Sequence, residues 1–349
     1  MKYKDYLNLI TIIIMSLNLS NCVSDNEDNS EILETPNKNF MFEVNFIQQQ
    51  ALHNKKGKII YMFSLSFENQ SDSKLIAYNY ELKEVIKTKE IGLYNLEGGT
   101  RHSTGDFNSK TELYLLSENT IYILSGDTLD EIASINIPDA DKIYSVKSKN
   151  GLLFISYNNK SFDNKLIVYN RNSLKLIKND IKATSHQGVI VVYNDKTNTN
   201  QIKCVSFPQS SNDWKSIEHT FDLNGNYISY DIGYNAGEGV LLETNDNSNF
   251  ILKGSFGRVY SKENLMNGET ILNNNGGFVD FKISIDGDFI YSIQNDSNIN
   301  IYNASDFSFK ESISINQNAR NIFIDGDKLL IINYEYSNPI NVYLSSYLN

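Results

Sequence analysis

A chain of 349 residues that is 40% hydrophobic and 12% aromatic holds ample apolar surface for a large core, and 4 prolines with 21% charged residues argue against a long disordered region. A formal net charge of -11 argues against non-specific nucleic-acid binding, which needs basic surface to displace counterions from phosphate, and against simple adhesion to an anionic surface. Of the two cysteines, Cys22 ends a leader and Cys204 sits in a strand-like run, so no disulfide is expected and Cys204 reads as a small core residue.

In chain order the first element is an export signal. Lys2 and Lys4 supply a positive start, and residues 7–19 form a mostly apolar run too short to cross a bilayer as a stable anchor. Leu19-Ser20-Asn21-Cys22 resembles a bacterial lipobox, with Asn21 where Gly, Ala or Ser is usual. The resemblance implies that Cys22 becomes the diacylated first residue of the mature chain. An ordinary secretory signal with an incidental cysteine is the other reading. Residues 22–38 follow as a polar, acidic tether with too little apolar surface to order itself. Acidic residues just behind such a cysteine resemble the surface-export signals of lipoproteins in the Bacteroidota, which implies an outer-membrane lipoprotein facing outward. The expected organisation is a signal over 1–21, a tether over 22–38 and one domain over 39–349.

Within that domain one phrase recurs seven times: a Gly/Asn/Asp-rich turn running straight into an apolar and aromatic strand. Its first apolar residues fall at Ile59, Leu113, Leu152, Val189, Val240, Phe289 and Leu329, a spacing that suits one four-stranded blade each. A second phrase follows at residues 75–79, 120–124, 166–170 and 300–303, then strands such as 131–137 and 310–315 with period-two alternation. The predicted fold is all-β, a seven-bladed β-propeller, with six blades and one irregular unit as the alternative count. Residues 121–135 and 166–177 resemble the repeat of YVTN or YncE-like propellers, and the likeness extends over most of residues 58–343. It implies fold rather than function, because this architecture carries many unrelated activities. Residues 201–221 and 250–272 depart from it. After Leu344 too few residues remain for a good outer strand, so a strand near Phe40 to Phe46 is expected to close the ring beside the C-terminal blade.

In a propeller the inter-blade loops share one face with the loops joining second to third strands, around the mouth of a central channel. Here the inter-blade loops span residues 92–105, 138–142, 182–187, 231–238, 273–277 and 316–321. They hold Arg101, His102, His186, Tyr234 and Arg320, the candidate ligand-binding residues, because polar groups from separate blades can converge on one mouth. Ordinary solvated loop residues are the alternative for each. Trp214 is assigned to a third-to-fourth-strand loop on the opposite face, as a cap over the fourth blade or an anchor for a partner. Asp286-Gly287-Asp288 and Asp325-Gly326-Asp327 look acidic and paired, but Asp-Gly supplies hairpin geometry there, and the further oxygens of an EF-hand loop are missing. No Cys/His group has zinc spacing, no Gly-x-Ser-x-Gly elbow occurs, and Gly254-Ser255-Phe256-Gly257 is too short to cradle phosphate. No catalytic residue, metal or cofactor is predicted.

The reading that follows is a lipid-anchored cell-envelope propeller serving as a binding module for a small molecule, glycan or protein. Its expected partners are the membrane, through lipidated Cys22, and an outer-membrane transporter or other envelope protein, with no nucleic acid. The alternative is a propeller enzyme. A lactonase-like site would need a metal held by several inward carboxylates or asparagines; a quinoprotein would need a tryptophan-rich repeat, against which a single Trp counts. A purely structural ring that organises envelope complexes is the third reading.

Overall fold

The computed structural model describes residues 39–44, 47–64, 73–91, 102–183, 188–207, 215–234, 241–254, 257–263, 270–271, 277–294, 298–315, 318–337 and 339–348. The expected signal, Cys22 and the tether lie outside them. Among the described residues every regular element is a strand. The first, β1, is Asn39–Val44. Blade I then comprises β2 (Ile47–Asn54), β3 (Ile59–Ser64), β4 (Lys74–Asn79) and β5 (Glu84–Glu90). Blade II is β6 (Ser103–Phe107), β7 (Lys110–Leu116), β8 (Thr120–Ser125) and β9 (Glu131–Asn136). Blade III is β10 (Ala140–Lys149), β11 (Leu152–Asn159), β12 (Asn164–Asn170) and β13 (Leu176–Lys182). Blade IV is β14 (Val189–Asn194), β15 (Gln201–Phe207), β16 (Lys215–Asp222) and β17 (Tyr227–Tyr234). Blade V is β18 (Leu242–Glu243), β19 (Phe250–Lys253), β20 (Arg258–Ser261) and β21 (Thr270–Ile271). Blade VI is β22 (Phe278–Ile283), β23 (Phe289–Gln294), β24 (Asn298–Asn303) and β25 (Phe309–Ser314). Blade VII takes β26 (Ala319–Asp325), β27 (Lys328–Glu335) and β28 (Ile340–Leu348), with β1 as its outermost strand.

The innermost strands β2, β6, β10, β14, β18, β22 and β26 neighbour one another in cyclic order, β26 meeting β2, so seven antiparallel sheets close a ring. The expected closure is present: β1 runs antiparallel to β28, with Asn39 opposite Leu344 and Val44 opposite Ile340. It removes the open edge that blade VII would otherwise expose.

The repeat phrase does not keep one phase along the chain. Copies at Ile59, Leu113, Leu152, Phe289 and Leu329 enter β3, β7, β11, β23 and β27, each the second strand of its blade. The copy leading to Val189 enters β14, an innermost strand, and the copy at Val240 lies outside the described residues, just ahead of the innermost strand β18. A polar turn before a buried strand looks alike whether it ends a hairpin or links two blades, so the count survives while the phase does not. Trp214 lies outside the described residues, in the segment joining β15 to β16, which is second to third strand rather than third to fourth.

The second phrase also has a physical cause. In the third-to-fourth-strand turns Leu129, Leu174 and Phe307 adopt left-handed backbone, φ 59°, 54° and 59°. Their side chains return to the core, Leu129 completely and Leu174 and Phe307 packed against buried clusters, and that contact offsets the strain. Asn79 and Asn170 set up two of these turns by accepting backbone N–H groups, Leu82 at 2.9 Å and Ser173 at 2.9 Å.

Seven apolar clusters hold the ring, one between each pair of consecutive blades. The cluster joining VII to I draws Met41, Phe42 and Val44 of β1 onto Ile60, Met62 and Tyr78 of blade I. Polar bonds tie the same seam. Lys58 bridges both oxygens of Asp325 at 2.9 and 2.8 Å, and the Tyr80 hydroxyl donates to Asp325 at 2.9 Å. Asp325 therefore serves the hairpin and its neighbour blade, and Gly326 beside it takes φ 65° as the turn requires. Asp286 accepts from the Ser284 hydroxyl and from Asp288 N–H within its own turn. At the seam from V to VI, Gly257 sits at φ 61°, where an added Cβ would lie 2.3 Å from the Phe278 ring. Gly257→Ala should therefore lower stability by about 1–3 kcal/mol, read as a lower urea midpoint at unchanged slope.

Cys204 is wholly buried in the cluster between blades III and IV, with its thiol pushed up by burial. Opposite it on β16, His219 is buried between the Phe221 and Tyr227 rings at 6.5 and 6.0 Å. Burial pushes its pKa down to about 4. The unfolded chain, with a histidine near 6.5, takes up a proton that the fold refuses. Stability should thus be full above pH 6.5 and fall toward pH 4, by about 1.4 kcal/mol per pH unit from this residue. His219→Phe should flatten that slope when urea midpoints at pH 7 and pH 5 are compared with wild type; an unchanged slope would refute the assignment.

Candidate functional site

The innermost strands enclose a central cavity of about 430 Å³, lined from all seven blades. Its chemistry comes from residues within strands. On β22, Phe281 and Ile283 pack into the cluster shared with blade V, and the alternating positions Asp280 and Lys282 turn the other way. Lys282 Nζ lies 3.2 Å from Asp280 and 3.5 Å from Glu243 of β18, and donates to the Phe281 carbonyl at 2.9 Å. The second oxygen of Asp280 accepts the Ile322 N–H of blade VII at 3.0 Å. One carboxylate thus fastens two blades and positions an ammonium at the axis. Lys147 of β10, Gln50 of β2 and Asn321 of β26 add to the polar lining.

The group charges follow from burial and neighbours. Burial holds the Glu243 carboxyl above the usual range; Lys282 and Lys147 draw it back, and Asp280 opposes them. Burial alone would lower Lys282, but the carboxylates Asp280 and Glu243 outweigh it and raise the ammonium. His53 at the end of β2 is pushed down to about 4, chiefly by burial, against the pull of Asp325. It is neutral at pH 7, 3.3 Å from the Tyr80 hydroxyl, its ring 5.1 Å from that of Phe323.

The loop residues singled out by sequence fall differently. His102 lines the cavity wall, but its side chain is buried, its ring stacked on Phe63 at 4.9 Å and its Nδ1 accepting Leu116 N–H at 3.0 Å. That bond places the proton of the neutral ring on Nε2. Its carbonyl accepts the Gln50 amide at 2.8 Å, so His102 positions a channel side chain. Arg320 stands on β26 at the cavity, its Nε donating to the Tyr336 hydroxyl at 3.1 Å and its guanidinium over that ring. Tyr234 ends β17, the outermost strand of blade IV, and so lies on the rim rather than at the channel. Arg101 and His186 lie outside the described residues. Sequence reading missed Glu243, Asp280, Lys282 and Lys147, since in Val279-Asp280-Phe281-Lys282-Ile283 the alternation reads as a strand with one face in solvent. Here the solvent is the channel.

Glu243→Gln replaces the carboxyl by an amide of the same shape, and the raised proton affinity makes the exchange mild. The variant should keep its melting temperature within about 3 °C of wild type, measured by circular dichroism. A loss of 10 °C would mean that an ionised Glu243 holds the ring together.

No protein-family model matches the sequence, and no curated protein matches it. Solved structures do. BamB from Moraxella catarrhalis superposes with a TM-score of 0.51 at 13% identity, over 86% of each chain. The Pan2 WD40 domain of Neurospora crassa gives 0.54 at 9% identity over 89% of each chain. BBS1N, solved in complex with ARL6DN, gives 0.55 at 10% identity over 89% of this chain and 94% of that one. At such identities the likeness is one of fold.

Proposed function

We propose that this propeller is a binding module of the bacterial cell envelope that captures a small polar molecule in its central channel. The observation that carries the reading is the Asp280–Lys282–Glu243 group, charges drawn from two blades into a partly dry cavity where burial opposes them. A ring needs only packed apolar seams to stand, and a cavity of about 430 Å³ is of the size that holds small ligands. The two inward carboxylates share an ammonium, so the donor set of a lactonase-type metal is not assembled among the described residues. The repeat likeness to YVTN propellers, a lipidated Cys22, a tether over 22–38 and an outer-membrane location with an envelope protein as partner belong to the same proposal. The lipobox-like Leu19-Ser20-Asn21-Cys22 supports them, and BBS1N solved with ARL6DN is a propeller of similar fold with a protein partner.

Native mass spectrometry of the chain purified from its own host tests the capture. A stoichiometric small molecule that is lost in Lys282→Met supports it, whereas an empty ring that crosslinks to an envelope protein in cells would replace it. Labelled palmitate incorporated by wild type but not by Cys22→Ser would support the anchor; equal labelling would remove it.

A further inference from the structure

At the end of the ring where the first-to-second-strand hairpins lie, a second cavity of about 610 Å³ opens beside blades I, II and III. Lys55 and Lys56 from the β2–β3 turn, Asp106 of β6 and Lys149 of β10 line it. It meets the central cavity at His53 and Thr104, which border both, so the two form one axial path.

The charge along this path runs against the charge of the protein. Six cations line it, Lys55, Lys56, Lys147, Lys149, Lys282 and Arg320, against three lining carboxylates, Asp106, Glu243 and Asp280, and a fourth, Asp246, that pairs with Lys149 at 2.5 Å from beside it. The whole chain carries -11. Two of the carboxylates are engaged by lining lysines, Asp106 by Lys56 at 2.7 Å and Asp280 by Lys282 at 3.2 Å. The third, Glu243, lies 3.5 Å from the same Lys282 ammonium. An acidic body turns anions away from its outer surface, while low-dielectric walls focus the field of cations that face a narrow bore.

We infer that the ligand of the channel is a small organic anion of carboxylate or phosphate type, admitted from the hairpin end past Lys55, Lys56 and Lys149 and held near Lys147 and Lys282. The inference rests on the channel being the capture site. The neutral amides of Gln50 and Asn321 supply directional contacts to the uncharged part of such a molecule.

Isothermal titration of the chain from residue 23 onward, which keeps every described strand, tests this with four probes: citrate, inorganic phosphate, glucose and putrescine. Citrate or phosphate should bind, about tenfold more weakly in about 300 mM than in about 20 mM sodium chloride, and glucose and putrescine should not. Which of the two anions binds identifies the acidic group. Lys55→Glu with Lys56→Glu, both at a surface turn, should weaken the anion about tenfold at low salt without moving the melting temperature, and Lys282→Met should weaken it further. Glucose or putrescine binding that Lys282→Met abolishes would overturn the anion class and leave the channel as the site. Anion binding untouched by all these variants would place it on the outer surface and remove the capture reading as well. If no probe binds, the inference fails, and capture rests on the mass-spectrometric result alone.

Discussion

Arg171→Ala is expected to cost about 3–5 kcal/mol, seen as a fall in the urea midpoint, because it strands a buried carboxylate. Arg171, in the β12–β13 turn of blade III, reaches into blade II, where its Nε and Nη2 donate to the two oxygens of Glu112 at 2.7 Å each. Both side chains are about 5% exposed. The Tyr114 hydroxyl donates to the same carboxylate at 2.9 Å, and the guanidinium stands 4.9 Å from the Phe107 ring centre. Removing the arginine leaves Glu112 charged without its partner, or forces it to take a proton. Replacing both members with apolar groups, Arg171→Met with Glu112→Leu, should recover most of the loss, since the pair's net contribution is small beside the penalty of breaking it. A single variant that loses under 1 kcal/mol would show that water reaches the pair.

Deleting residues 39–44 should abolish cooperative folding. The deletion takes Met41, Phe42 and Val44 out of the seam between blades VII and I, and it bares β28. Three buried apolar side chains at roughly 1.5–3 kcal/mol each sum to an amount comparable with the whole stability of a typical domain. The exposed β28 edge adds a route to aggregation. Thermal circular dichroism should give a broad, early transition in place of a sharp one, and a synthetic peptide covering residues 37–46 should sharpen it again in proportion to its concentration. A truncated chain that melts as wild type would mean that blade VII is complete with three strands.

Much of the ring was legible in the sequence because its determinants are local. The turn before Phe289, Ser284 to Asp288, writes its geometry in Asp and Gly, and Tyr302-Asn303 announces a turn whose Phe307 returns to the core. The closing strand was legible from arithmetic, since the last blade lacked residues for a fourth strand. Phase was not: the approaches to Val189 and Ile59 look alike, and only strand pairing shows that one enters an innermost strand. The channel was legible least. Asp280 and Lys282 are ordinary surface letters until topology places β22 beside the axis, and His102, a loop histidine by sequence, is fixed by a stacking partner and a backbone donor that lie 39 and 14 positions away in the chain. Convergence of that kind is a property of the closed ring.

The pairing of β1 with β28 also orders events in time. Blades I to VI are built from strands contiguous in the chain, so each can assemble as soon as its own four strands exist. Asn39 finds its partner only at Leu344, the most distant pairing among the described strands and the one with the greatest loop-closure entropy. During synthesis the earliest described strand therefore waits unpaired while the rest of the ring forms, and its Phe42 and Val44 stay exposed for that interval. Moving β1 to follow β28 by circular permutation would make this last step local, and the ring would close as fast as its blades stack.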